Sequence, residues 1–211
     1  MQREEVTTLG KAFSGEERER VQEALRRVGL RLLAENGIRN VSIRSLTQEV
    51  GIAQGGFYTF YRDKEEFVMD LMCLRVREKT QAMLTQRKQT QKDPRGFLVE
   101  LLYREGMHLK ENKAFQNGES GTLEFWARAS KKGENEIRET YLVFLEEIIA
   151  YWRKKGLTIE CDLEGLLNVG LAAGMLFTNA DSMGEEYFKI IYRAFCEAEV
   201  DQFFKVVNLN G

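Results

Sequence analysis

Proline is nearly absent from this chain: Pro94 is the only one in 211 residues. That scarcity permits long uninterrupted helices, because proline removes a helix donor and clashes with the preceding turn. Histidine is equally scarce, with His108 alone. Glu105 and His108 have the E-x-x-H spacing of di-iron helical bundles, but such a site needs two copies of the motif, so that chemistry is excluded. Cys73, Cys161 and Cys196 lie far apart and form no C-x-x-C pair. Their spacing argues against a zinc site or disulfide framework and for buried, reduced thiols. The longest near-apolar run, Leu163 to Phe177, contains Glu164 and Asn168 and is too short and too polar to span a bilayer. The N-terminus, MQREEVTTLG, has no apolar segment of the secretory kind, so a cytoplasmic protein with no membrane contact is expected. A nucleophile elbow, a P-loop and a metal cluster are all missing, and the single histidine has no recognisable catalytic partner. The expectation is a protein that is not an enzyme and carries no cofactor.

What is present is helical periodicity. Hydrophobic residues make up 43% and charged residues 30%, the balance of a folded chain rather than a disordered one. Val21, Ala24, Leu25, Val28, Leu32 and Leu33 form an i, i+3/i+4, i+7 stripe, with Ser14 and Glu17 spaced as a capping box before it. Asn36-Gly37 ends that helix. Ser42 caps a short helix through Leu46 and Val50 that stops at Gly51, and a second short helix is expected from Gln54 to about Tyr61. Asp63 caps a long helix from Lys64 to about Gln91, and Asp93-Pro94 starts another, with proline at the first helical position. Later helices are marked by Leu98, Leu101, Leu102 and Leu109, by Thr122 to Ala129, and by Ile137, Tyr141, Phe144, Leu145, Ile148 and Trp152. A loop at Ser130 to Gly133 precedes the Ile137 stripe. Leu163 to Ala180 is apolar on nearly every face, and Phe188, Ile191, Phe195 and Ala198 define the last helix. No stretch alternates with period 2 for long enough to predict a strand. The fold class is all-α, with about nine helices.

A helix, a short capped helix, a glycine-containing turn and a second short helix within about fifty residues outline a helix-turn-helix reader. The second short helix should enter a major groove. Ser42 and Arg44 occupy a helix first turn, whose positive dipole end suits a phosphate, and Lys64 holds a similar place on the long helix. Net charge is −2 overall, yet residues 1–64 carry 11 basic against 9 acidic side chains, so any phosphate-facing surface belongs at this end.

The run from Leu46 through Gly51, Gly55, Phe57-Tyr58, Tyr61 and Lys64-Glu65-Glu66-Phe67 resembles, in order and spacing, the signature of TetR/AcrR transcriptional regulators. The resemblance covers about residues 14–70; the rest agrees only in length and helicity. It implies a helix-turn-helix domain over 1–64, with the motif near 42–61, and a helical ligand-binding and dimerisation domain over 65–211. It implies that Tyr58, Lys64 and the start of the Ser42 helix bind backbone phosphates, and that Gly55 lets the recognition-helix backbone approach the DNA. Gln54 is the candidate for base readout, since an amide can pair bidentately with adenine, and Arg44 could reach a phosphate or a guanine. Leu46, Val50, Phe57 and Tyr61 would hold the core. Two departures stand out. Gly56 replaces a usual Thr, Ser or Ala, which removes a side-chain contact and weakens the helix by about 1 kcal/mol relative to alanine. Phe60 replaces a frequent Tyr or His, removing a phosphate hydrogen bond.

The partners implied are double-stranded operator DNA, a second copy of the chain held through the last two helices, and a small-molecule effector. Two sequence features fit the dimer: the all-round apolar character of Leu163–Ala180, and Gly170 and Gly174 one turn apart, which allow close helix approach. For the effector site, Trp126, Tyr141, Phe144 and Met175 are the candidates; Trp126 and Tyr141 combine an apolar body with one hydrogen-bonding tip. The expected function is a repressor released from a palindromic operator by a small, largely apolar ligand. The competing class is a helical adaptor that never meets DNA, whose mark would be an acidic surface in place of Arg44, Gln54, Tyr58 and Lys64.

Overall fold

The structure, a computed structural model, describes residues 14–111, 131–178 and 180–207. Among these are nine α-helices: α1 (Gly15–Asn40), α2 (Ile43–Val50), α3 (Gln54–Phe57), α4 (Lys64–Thr85), α5 (Pro94–Glu111), α6 (Lys131–Lys154), α7 (Leu163–Thr178), α8 (Ala180–Met183) and α9 (Glu185–Phe203). Two strands, β1 (Thr158–Cys161) and β2 (Phe204–Val207), form a small antiparallel pair. The helix predicted over Thr122–Ala129 lies outside the described residues.

Helix boundaries follow their caps. The Ser14 hydroxyl accepts from the Glu17 N–H at 3.3 Å while the Glu17 carboxylate accepts from the Ser14 N–H, closing the predicted capping box. At Gly37 the backbone leaves helical geometry with φ 74°, as the Asn36-Gly37 reading expects. Ser42 Oγ accepts from the Ser45 N–H at 3.3 Å, and Gly51, at φ 80°, ends α2 in the left-handed conformation. Asp63 Oδ1 accepts from the Glu66 N–H at 2.7 Å, and Asp93 Oδ1 accepts from the Gly96 N–H at 2.8 Å just before Pro94.

Four expectations need correction. The second short helix closes at Phe57 rather than near Tyr61. Its continuation is a tightened turn, with Tyr58, Thr59 and Phe60 N–H groups bonded three residues back. Two adjacent glycines near its start favour that early end. The long helix stops at Thr85, and Arg87–Lys92 forms a 3₁₀ turn. That polar stretch has no buried side chain to hold an α-helix on the core, and the turn places the Thr90 hydroxyl 2.8 Å from the Trp152 indole N–H, which donates to it. Lys131 to Gly133 is helical rather than loop: Gly133 is buried where α6 crosses α4, and a Cβ there would sit 2.1 Å from Met69 Cγ. The two strands are four residues each and join positions more than forty apart, so no local alternation announces them.

Two hydrophobic cores share α4. The first gathers Leu25, Val28, Leu46, Phe57, Tyr61 and Phe67. Met69 and Cys73 carry it along α4 to the side of Ile137 on α6. The second, built on α5, α6, α7 and α9, centres on Val99, Phe144, Ile148, Trp152, Phe188 and Tyr192, with Leu84 from the far end of α4. The strand pair, in register Thr158↔Val207 to Cys161↔Phe204, ties the segment after α9 to the α6–α7 connection. Cys73 and Cys196 are buried and Cys161 half-buried; burial pushes all three thiols up to about 11, so they are protonated at neutral pH. No described helix is long and apolar enough to cross a membrane.

Candidate nucleic-acid interface

The short helix α3 is held from beneath by aromatic rings. Phe57 is fully buried, with its ring 5.5 Å from both Tyr61 and Phe67, and Tyr61 lies 4.9 Å from Phe67. With Phe57 turned inward, Gln54, Gly55 and Tyr58 are left on the outside; Tyr58 is 53% exposed although its ring still edges onto Phe57 at 5.4 Å. Gly56 is half-buried. At Gly55 an added Cβ would meet nothing within 4 Å, so the space over that backbone is open to an incoming surface.

Helix α2 presents Ser42 and Arg44 exposed in its first turn, while Leu46 and Thr47 point inward. The Thr47 hydroxyl is satisfied within the helix by the Ile43 carbonyl at 2.9 Å. Ser42 Oγ accepts the capping N–H, which leaves its own O–H to donate outward. Lys64 opens α4 half-buried, and that burial pulls its ammonium below the ordinary lysine value. An anion beside it would act in the opposite direction, favouring the charged form. The seven predicted positions are carried by α2 and its N-cap, by α3 and the turn after it, and by the start of α4, elements that share the first core.

Three contacts supporting this surface are invisible to local spacing. Arg18 on α1 donates to the Thr59 carbonyl at 3.0 Å and lies over the Phe60 ring at 5.0 Å, pinning the turn that follows α3. Arg31 bridges Glu35 on its own helix and Glu49 on α2. Arg26 donates to both Asp70 oxygens at 2.7 Å, and the Tyr61 hydroxyl donates to Asp70 Oδ2 at 2.7 Å. Burial alone would raise the Asp70 carboxyl, but the Arg26 and Tyr61 hydrogen bonds outweigh it and hold it below the usual aspartate value.

The predicted effector residues divide differently. Phe144 is buried in the second core, 6.5 Å from Phe97, and it also lines an open groove of about 640 Å³ between α4 and α6 with Thr80, Leu84 and Val143. Tyr141 is half-buried and donates to Glu105 Oε2 at 3.4 Å, and Glu105 is ion-paired with Lys79. Burial pushes the Tyr141 phenol up, so it stays protonated as a donor. Trp126 and the side chain of Met175 lie outside the described residues, as does the side chain of His108. Among the described residues no group of three His, Cys, Asp or Glu could hold a metal ion.

Residues 25–71 match the family model described as bacterial regulatory proteins, tetR family. No curated protein sequence matches the chain. Among solved structures, a TetR transcriptional regulator from Rhodococcus sp. RHA1 superposes with TM-score 0.63 at 13% identity, over 90% of this chain and 99% of that one. RolR, in complex with resorcinol, gives TM-score 0.63 at 16% identity over 90% of each chain. A TetR transcription regulator from Haloarcula marismortui gives 0.56 at 16% identity, over 89% of this chain and 100% of that one. At these identities the likeness is one of fold.

Proposed function

We propose that the chain is a TetR-type DNA-binding transcriptional regulator, a reading supported by the match of residues 25–71 to the tetR family model, and that it is a homodimeric repressor released from a palindromic operator by a small, largely apolar ligand. The observation that carries the proposal is the setting of α3, where Phe57 is fully buried while Gln54, Gly55 and Tyr58 stand exposed. In this reading α3 enters the major groove. Gln54 pairs with an adenine edge, and the open space over Gly55 lets the backbone come close. Ser42, Arg44, Tyr58 and Lys64 take phosphates, and Gly56 adds backbone contact only. The reading head is residues 1–64 and the effector and dimer body residues 65–211, with α4 reaching from one into the other.

Two heads are brought to one duplex by pairing through the last helices. On α9, Phe188, Tyr192, Cys196 and Val200 face the core at i, i+4 spacing. Tyr187, Ile190 and Ile191 are 69%, 60% and 45% exposed on the other side. An apolar face of this kind, offset from the buried one, suits a two-fold helix interface with a second copy. The effector site lies where α4, α5 and α6 meet, with Phe144 supplying apolar surface and the Tyr141–Glu105–Lys79 group a hydrogen-bonding anchor. RolR, a protein of similar fold, is seen in complex with the ligand resorcinol, a small aromatic. Ligand and operator favour different separations of the heads, so each weakens the other by linkage.

Selection from a random-sequence duplex pool tests this. The wild-type protein should enrich a two-fold symmetric site with half-sites about one helical turn apart. Tyr58→Ala should weaken its binding across all sequences with the salt slope nearly unchanged, because a phenol carries no charge, whereas Lys64→Ala should make the slope shallower by about 1. A pool that shows no enrichment, or a Tyr58→Ala variant with unchanged affinity, contradicts the proposal.

A further inference from the structure

We propose that Asp70 is the positioning residue for the reading helix, acting through the Tyr61 hydroxyl to set the angle at which α3 is offered to DNA; this rests on the function proposed above. Helix α3 cannot hold its own orientation. It is a single turn of four residues containing two glycines, and its N-cap, Ala53, has no side chain to bond a free N–H. Short helices of this composition are not stable alone, so outside contacts must fix where the turn points.

Those contacts act at its C-terminal end. The Tyr61 N–H bonds the Phe57 carbonyl at 3.1 Å, which makes Tyr61 the last residue tied to α3. The Tyr61 ring packs between Phe57 and Phe67, tilted against the first and edge-on to the second, and a directional hydrogen bond gives it a further fixed point. The hydroxyl supplies that fixed point by donating to Asp70 Oδ2 at 2.7 Å. Asp70 is in turn locked by Arg26, whose Nε and Nη2 reach the two carboxylate oxygens at 2.7 Å each. A bidentate guanidinium–carboxylate pair fixes the plane of the carboxylate as well as its position. One side chain on α4 therefore joins α1 to the turn behind α3, with the Asp70 side chain only 20% exposed. A displacement of α4 against α1 must move Asp70, and Asp70 carries Tyr61 with it.

Tyr61→Phe isolates the claim, because it removes one O–H and leaves the ring in the core. The hydrogen bond is to a charged group, so its loss should weaken operator binding about tenfold. Affinity for a non-cognate duplex, which depends on charge rather than on the set of α3, should change by less than about twofold. Adding Asp70→Asn to Tyr61→Phe should lower operator affinity less than the product of the two single losses, because both remove the same link. A Tyr61→Phe protein that binds operator like wild type, or loses cognate and non-cognate affinity equally, overturns the positioning role while leaving the regulator reading intact. A wild-type protein with no sequence preference overturns both.

Discussion

Gly29 shows how a single missing side chain sets the packing of α1 on α4. A Cβ at this position would lie 2.3 Å from Phe67 Cζ and 3.0 Å from Leu71 Cδ1, so the buried Phe67 ring fills the space that an alanine methyl would need. Gly29→Ala should therefore destabilise the protein by about 1–3 kcal/mol through overpacking, outweighing the gain of roughly 1 kcal/mol in helix propensity. Gly55→Ala makes the opposite comparison. Nothing lies within 4 Å of the added methyl, so thermal stability should hold or rise slightly while operator affinity falls. Thermal melts of both variants, with duplex binding for Gly55→Ala, check the pair; a stabilised Gly29→Ala or an operator-neutral Gly55→Ala would count against this packing and this surface. At this scale the sequence was partly legible. Phe57 inward and Gln54 and Tyr58 outward follow from helical spacing and a motif read over a few residues. Gly29 and the Arg26–Asp70–Tyr61 group were not, because their partners lie 38 to 44 positions away or, for Tyr61, look locally like core alone.

Elements were legible wherever a cap announces an end. Ser14 with Glu17, Ser42, Asp63 and the Asp93-Pro94 pair each sit where the helix begins. Where an end depends on packing instead, reading the chain locally failed. Gly133 looks like a break but is a crossing point, and the polar stretch after Thr85 looks like more helix but is a 3₁₀ turn seated over Trp152. The caps also make acid sensitivity a property of elements. The Glu66 N–H hydrogen bond holds the Asp63 carboxyl below its usual value, and Asp70 is depressed as well. A depressed folded-state pKa gives stability that is fully present above the unfolded value, about 3.9, and is lost as pH falls through the folded one. Stability should thus be level near neutrality and decline below about pH 4. Asp63→Ala should cost about 0.5–2 kcal/mol at pH 7 and flatten part of that acid limb. Denaturant unfolding at a series of pH values reads both effects; an Asp63→Ala protein with wild-type stability at pH 7 would remove the cap from the explanation.

At the scale of the whole molecule, two cores share α4, which carries Phe67 in the first and Leu84 in the second, while α6 sets Ile137 against the first and Phe144 in the second. All-α architecture and the place of the match to the tetR family model, residues 25–71, were legible from periodicity and motif. A pocket was not, because aromatic and methionine residues of core and pocket look alike in sequence; of the two candidates whose side chains are described, Phe144 lines the α4–α6 groove and Tyr141 does not. The exposed α9 face was legible only in outline: the expected stripe contained Ile191 and Ala198, whereas the buried one runs Phe188, Tyr192, Cys196, Val200. A second copy covering that outer face would make Ile190 an interface residue. Ile190→Glu should then shift the protein from dimer to monomer in analytical ultracentrifugation and abolish high-affinity operator binding, without unfolding it. A variant that remains dimeric would place the interface elsewhere.

Methylation protection of guanine N7 on the selected duplex reports directly whether α3 occupies a major groove, because N7 is exposed there and not in the minor groove. Insertion of Gln54 and the Gly55 backbone from two subunits should protect two patches on one side of the duplex, about one helical turn apart. Gln54→Ala should alter sequence preference at one base pair per half-site. Guanines that stay fully reactive on a duplex the protein demonstrably occupies would mean that the short helix never enters the groove.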